Sequence, residues 1–136
     1  MSDYESIIEL WMRSGLPFKQ KGRDSKTMME KHMTAFPELF IGAFKATKLV
    51  GVVIGSYDGR MKGWINRLAV DPTFRREGIG SKLIHELEKT LRKLGTEVFC
   101  ALVEPPNEKS LLLFKKMGYE IHENVFYISK RQKVDL

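Results

Sequence analysis

Hydrophobic side chains recur at helical spacing in four stretches of the chain, and this periodicity predicts four helices. Asp3 and Asn107 stand where the first and fourth helices would need N-caps. Gly95 and Gly118 stand just beyond the third and fourth, where glycine commonly ends a helix. The predicted helices span residues 3–14, 24 or 25 to 36, 78–94 and about 107–117.

Runs of strand-forming residues predict the rest of the architecture. Residues 40–46 and 49–57 read as two strands, and Asp58-Gly59 is a hairpin signal into a third strand that ends at Val70. Residues 98–103 are apolar on both faces, which is typical of a central, parallel strand covered on both sides. With the helix over 78–94 as the crossover, these strands form a right-handed βαβ unit. Residues 119–130 alternate loosely and predict one or two closing strands.

Length and composition indicate one α/β (α+β) domain over residues 1–136. The single cysteine, Cys100, allows no internal disulfide, and three dispersed histidines show no metal-ligand spacing, so no metal is expected. No apolar run reaches the roughly 18 residues of a membrane span, and no signal peptide is visible at the N-terminus. We therefore expect a cytoplasmic protein with no membrane association. The net charge of +6 is spread over the chain without an aromatic-interleaved basic stripe, which disfavours nucleic acid as the partner.

The segment between the third strand and the third helix has the residue types of an anion site. Asp71-Pro72 stops the strand, Arg75 and Arg76 follow, and Gly78-Ile79-Gly80 opens the helix. A helix N-terminus carries unpaired N–H groups and partial positive charge, and glycine lets a phosphate approach the backbone. No Gly-Lys-Ser or Gly-Lys-Thr follows, so an NTPase phosphate-binding loop is not supported. Leu83 stands where a dinucleotide-binding fingerprint would have its third glycine. The pattern therefore indicates a pyrophosphate cradle over residues 75–81 that is neither an NTPase loop nor a dinucleotide-binding fingerprint.

The spacing Arg-x-x-Gly-x-Gly, as Arg75, Gly78 and Gly80 after Leu68-Ala69-Val70-Asp71-Pro72, resembles the acetyl-CoA-binding motif of the GNAT superfamily of N-acetyltransferases. A second stretch, residues 107–119, resembles a further motif of that family and ends in its Gly-aromatic pair. The resemblance covers nearly the whole chain. It implies a mixed, mostly antiparallel sheet in which parallel strands 64–70 and 98–103 splay apart, flanked by about four helices. The family's usual first edge strand has no counterpart here, so we expect that it was lost or that the true start lies upstream.

The resemblance also implies a set of residues that contact acetyl-CoA. Main-chain groups of the strand over residues 64–70 would bind the pantetheine arm, and residues 75–81 would bind the pyrophosphate. The fourth helix would contact the pantetheine and phosphate region. The family's proton-donating tyrosine is replaced by Phe114, which has no proton to give. The implied cofactor-binding residues are Leu68, Ala69, Val70, Arg75, Arg76, Gly78, Ile79, Gly80, Ser81, Asn107, Ser110 and Phe114.

The activity implied by the resemblance is direct transfer of acetyl from acetyl-CoA to a primary amine in a ternary complex. The amine must lose a proton first, since its pKa is near ~10.4. Glu104 at the end of the second splayed strand is our candidate base, and Asn66 is a candidate for orienting a water. Cys100 has no histidine nearby in sequence and is interpreted as packing.

Two alternatives remain at this stage. The first is an acyl-CoA-binding regulatory module without turnover, which Phe114 favours. The second is a nucleic-acid-binding domain, which the basic loops favour less strongly. A homodimer is a further expectation from the resemblance, and the acceptor amine is left open.

Overall fold

A computed structural model describes residues 3–104, 107–133 and 136. The described residues form four α-helices at the predicted places: α1 (Asp3–Ser14), α2 (Lys26–Ala35), α3 (Ile79–Leu94) and α4 (Glu108–Lys116). Ser25 caps α2 by accepting from the Met28 N–H, and Asn107 caps α4 by accepting from the Ser110 N–H. Gly95 ends α3 at φ 111°, a left-handed conformation that glycine adopts freely. The helix boundaries read from the sequence are therefore confirmed within one or two residues.

Within the described part of the chain, four strands form one sheet in chain order: β1 (Phe40–Lys45), β2 (Lys48–Tyr57), β3 (Lys62–Val70) and β4 (Val98–Ala101). β2 runs antiparallel to both β1 and β3, and β4 runs parallel to β3. The β2–β3 turn is tied by Asp58, whose Oδ1 accepts from the N–H groups of residues 60–62. The predicted mixed, mostly antiparallel sheet with a βαβ crossover through α3 is confirmed.

Helices cover both faces of this sheet. Trp11 and Leu10 of α1 are fully buried against β2 and β3, and the buried Met29 of α2 packs in the same cluster. On the opposite face, Ile84, Leu87 and Leu91 of α3 are fully buried and pack with Phe114 of α4. The apolar stripe of α3 thus fixes its axis on the sheet and its N-terminus beside the end of β3. Among the described residues, no helix is long and apolar enough to cross a membrane.

Two strand predictions differ from the structure. The closing strands expected over residues 119–130 are wrong, because this segment forms no strand and its residues 125–128 lie exposed. The strand predicted over 98–103 ends at Ala101 and, within the described sheet, lies at the edge instead of the centre. A run of strand-forming residues reports a local preference, whereas a strand also needs a neighbour to satisfy its ladder.

Candidate active site

The loop between β3 and α3 is held by Asp71, which is only 3% exposed. Its Oδ1 accepts from the Thr73 N–H at 2.9 Å, and its Oδ2 accepts from Arg13 Nε at 3.0 Å. These interactions, the Thr73 hydrogen bond first, keep the pKa of the Asp71 carboxyl below its usual value despite burial. The sequence indicated Asp71 only as a strand stop. Its partner Arg13 lies 58 residues away and no local signal could reveal it.

Beyond this loop, α3 begins with its backbone donors uncovered. Gly78 is the N-cap at φ 77° and has no side chain to cap the first turn. The first intrahelical bond runs from the Lys82 N–H to the Gly78 carbonyl, so the N–H groups of residues 79–81 point out of the helix end. Such a turn provides three donors and a positive dipole end for an anion. These residues fit a pyrophosphate, as the sequence predicted for the cradle.

Gly80 faces α4 closely. A Cβ at this position would lie 3.1 Å from Leu113 Cδ2 and 3.9 Å from Val70 Cγ2. The approach places the second half of α4 against the first turn of α3. Asn107 uses its side chain to cap α4, a role compatible with ligand contact at its other polar atoms.

The two arginines that precede the cradle are exposed. Arg75 Nη2 approaches the Ser14 carbonyl at the end of α1, at 3.4 Å. Arg76 takes a left-handed backbone conformation at φ 78°. Of the remaining predicted contacts, Ile79 and Ala69 have buried side chains, which leaves their main-chain groups as the parts able to face a ligand. Phe114 is buried in the core at 6% exposure.

The parallel pairing of β3 and β4 ends at Ile65 and Ala101, although β3 continues to Val70. Main-chain groups of residues 66–70 therefore have no β4 partner along this side, which is the predicted splay. A β-bulge lies in the same segment, where β3 steps from Ala69 to Asn66 while β2 steps from Val52 to Ile54. The bulge places Arg67 at φ 53°.

The two candidate catalytic residues lie on either side of this opening. Asn66 Nδ2 donates to Ser56 Oγ at 3.3 Å, so its amide is oriented by the neighbouring strand. Glu104 is exposed, three residues beyond β4, and is close enough to Arg67 to stabilise the guanidinium electrostatically. Glu104 therefore lies near the predicted site, but it carries no hydrogen bond that would fix its direction among the described contacts.

Two other reactive groups, the Cys100 thiol and the Tyr119 hydroxyl, are accounted for by packing. Burial raises the pKa of the Cys100 thiol, which disfavours a thiolate. The Tyr119 hydroxyl donates to Glu88 Oε2 at 2.5 Å, and burial followed by that bond raises the pKa of Tyr119. Phe114 packs edge-on against Tyr119 with ring centroids 5.1 Å apart. Among the described residues, no group of acidic, histidine and cysteine side chains could hold a metal ion.

Comparison with known proteins agrees with this geometry. The model of the acetyltransferase (GNAT) family matches residues 4–119. The chain is 35% identical over 134 residues to an acetyltransferase of Photorhabdus laumondii, covering 98% of this chain and 92% of that one. It is 33% identical over 129 residues to an acetyltransferase of Sodalis glossinidius, with 95% and 89% covered. The protein therefore belongs to the GNAT family of acetyltransferases, and its acetyl donor is acetyl-CoA.

Solved structures show the same fold at low sequence identity. The PaiA N-acetyltransferase of Thermoplasma acidophilum, in complex with coenzyme A, is 22% identical with a TM-score of 0.78, covering 90% of this chain and 87% of that one. An aminoglycoside 6′-N-acetyltransferase of Acinetobacter haemolyticus is 17% identical with a TM-score of 0.67, covering 98% and 97%. The fold and the acetyl-CoA assignment read from the sequence are thus confirmed, whereas the individual site residues stay predictions.

Proposed function

We propose that this acetyltransferase transfers acetyl from acetyl-CoA to a primary amine by direct attack within a ternary complex. The observation that carries the proposal is the coincidence of two features at one end of the sheet. The uncapped first turn of α3 offers donors to a pyrophosphate, and residues 66–70 have no β4 partner along the edge that faces the gap. A long ligand with a phosphate end and an extended amide arm matches that succession.

The proposed roles divide between main chain and side chains. The N–H groups of residues 79–81, helped by Arg75 and Arg76, would hold the pyrophosphate, and Leu68 and Val70 would bond the extended arm. One N–H of this strand would polarise the carbonyl at which the amine attacks. On the side of acetyl-CoA that faces α4, the contacts would come from Asn107, Ser110 and the region of Phe114. Holding the two reactants together supplies much of the rate acceleration.

We propose Glu104 as the base that takes the proton of the amine, directly or through a water that Asn66 orients. Glu104 is exposed, lies three residues beyond the end of β4 and is near the charge of Arg67. A carboxylate positioned within reach of the amine can accept its proton as the amine attacks. The sulfur can leave as a thiolate without a general acid, because a thiol pKa near ~8.5 makes the thiolate a fair leaving group. The thiolate then takes its proton from water.

The test is thiol release from acetyl-CoA in the presence of a panel of primary amines: an amino acid, a polyamine, an aminoglycoside, a peptide N-terminus and a lysine peptide. Glu104→Gln should lower kcat about 100-fold, the usual range for a general base, with the Kd for acetyl-CoA unchanged. Glu97→Gln, another exposed carboxylate at the opposite end of β4, is the matched control and should keep full activity. Equal rates and equal pH profiles for the two variants would remove Glu104 from the role of base.

A second candidate function is an acyl-CoA-binding module without turnover. One observation favours it: Phe114 cannot donate a proton, and the hydroxyl of Tyr119 is engaged with Glu88. This alternative predicts acetyl-CoA binding by calorimetry and no thiol release with any amine of the panel. If the wild type does not bind acetyl-CoA at all, both candidates fail.

A further inference from the structure

Arg67 occupies an unusual position for an arginine. It lies inside β3, yet its φ of 53° is left-handed, which is unfavourable for a residue with a β-carbon. Two residues of β3, Arg67 and Leu68, stand opposite the single residue Val53 of β2. This bulge begins two residues after Ile65, the last residue of β3 that pairs with β4. The left-handed conformation of Arg67 therefore lies in the segment where β3 and β4 separate.

The side chain of Arg67 is held from two sides. Its Cζ lies 4.2 Å from the centroid of the Trp11 ring, and Trp11 is fully buried in α1. Its Nη2 donates to Asp24 Oδ2 at 3.2 Å, where the Asp24 side chain is 7% exposed and that of Arg67 is 21% exposed. We call these three residues, Trp11, Asp24 and Arg67, the bulge clamp.

Asp24 extends the clamp into the loop that joins α1 to α2. Its Oδ2 also accepts from the Lys19 N–H at 2.7 Å, and its carbonyl accepts from the Tyr4 hydroxyl at 2.9 Å. The carboxylate of Asp24 thus joins the loop to the β3 bulge, and its carbonyl joins both to the start of α1. A strained backbone conformation persists only where its surroundings determine it, and here the surroundings are these contacts.

We propose that Arg67 is a positioning residue of the acetyltransferase, and that the bulge clamp holds the main chain of residues 66–70 in the geometry that the reaction needs. This inference rests on the proposed function for its kinetic consequence. Arg67 acts through the backbone it anchors and through the α1–α2 loop. It therefore governs the chemical step more than the affinity for acetyl-CoA, whose phosphates lie at α3.

Two substitutions separate the backbone conformation from the side chain. Arg67→Met removes the guanidinium and its hydrogen bond to Asp24, while its β-carbon still disfavours φ 53°. Arg67→Gly removes the same hydrogen bond, but glycine adopts positive φ freely. We expect kcat to fall about 100-fold in Arg67→Met, the effect of misplacing reacting groups by about 1 Å, and to recover about tenfold in Arg67→Gly. The Kd for acetyl-CoA should rise by no more than about tenfold in both, because the cradle at α3 is unchanged and only the proposed bonds of Leu68 and Val70 to the extended arm are weakened.

Arg23→Met is the matched control. Arg23 approaches the same Asp24 carboxylate, at 3.9 Å, but its side chain is half exposed and lies outside the strand. It should keep wild-type kcat. Loss of kcat in Arg23→Met equal to that in Arg67→Met would overturn the proposal, because the effect would then come from the charge of Asp24 and not from the bulge.

A readout independent of activity is amide hydrogen exchange in the peptide that covers residues 64–71. Exchange should rise about tenfold in Arg67→Met and less in Arg67→Gly, while peptides of α3 stay protected. If Arg67→Met lowers only the melting temperature and leaves kcat and this exchange unchanged, Arg67 is merely structural and the proposal is wrong. If the wild type shows no turnover, the proposed function fails, and the exchange pattern still decides whether the clamp holds the bulge.

Discussion

A charge placed in the first turn of α3 tests the predicted cradle directly. Gly80→Asp would put a carboxylate beside the N–H groups of residues 79–81, where the pyrophosphate is predicted to bind. Two like charges about 5 Å apart repel by about 3 kcal/mol at an effective dielectric constant near 20. That free energy corresponds to an increase in the Kd for acetyl-CoA of about 150-fold.

The structure supplies the matched control for this substitution. Any β-carbon at residue 80 meets Leu113 Cδ2 at 3.1 Å, and that atom is the end of a flexible side chain. Gly80→Ala has the same steric contact as Gly80→Asp without the charge, and it should bind acetyl-CoA within a few-fold of the wild type. Because an acidic residue near a helix N-terminus is favourable by about 0.3–1 kcal/mol, Gly80→Asp should not lower the melting temperature relative to Gly80→Ala.

Isothermal titration calorimetry of the three proteins with acetyl-CoA measures the effect. The difference in Kd for acetyl-CoA between the Asp and Ala variants should become smaller when the salt is raised from about 0.1 M to about 1 M, because the Debye length falls from about 10 Å to about 3 Å. If the Asp and Ala variants both bind acetyl-CoA as tightly as the wild type at low salt, the cradle at residues 78–81 is refuted. If both lose the same affinity relative to the wild type, steric contact with Leu113, and not charge, controls binding.

Two predictions concern the contacts that support the site. Because the folded state lowers the pKa of Asp71, its stabilising contribution is present above about pH 4 and is lost as the pH falls through the folded-state pKa. Asp71→Asn should therefore reduce the free energy of unfolding at neutral pH and flatten its decline below about pH 4 in urea titrations, and an unchanged acid slope would contradict this reasoning. Tyr119→Phe removes the hydrogen bond to the buried Glu88 and should lower the free energy of unfolding by about 1.5–3 kcal/mol while leaving kcat unchanged. A loss of kcat without a loss of stability would instead place Tyr119 in proton transfer.

The elements of the fold follow from local sequence signals. The stripe on α3 and the caps at Ser25, Asn107 and Gly95 involve residues a few positions apart, so the period and the cap chemistry are visible without the tertiary structure. The Arg-x-x-Gly-x-Gly spacing is equally local, and it led to the family that the comparisons confirm. The donors of the first turn of α3 need only a helix that begins at a glycine.

Only the tertiary structure could reveal the contacts between distant segments. Asp24 and Arg67 are 43 residues apart, Glu88 and Tyr119 are 31 apart, and Arg13 and Asp71 are 58 apart, so no periodicity relates them. The left-handed conformation of Arg67 is likewise invisible in a sequence where glycine would be the expected residue. The same limit explains the error over residues 119–130, whose strand preference is real but depends on a partner strand. The sequence determines what each segment prefers, whereas the packing of the sheet between its helices decides which preferences are satisfied and which residues meet at the site.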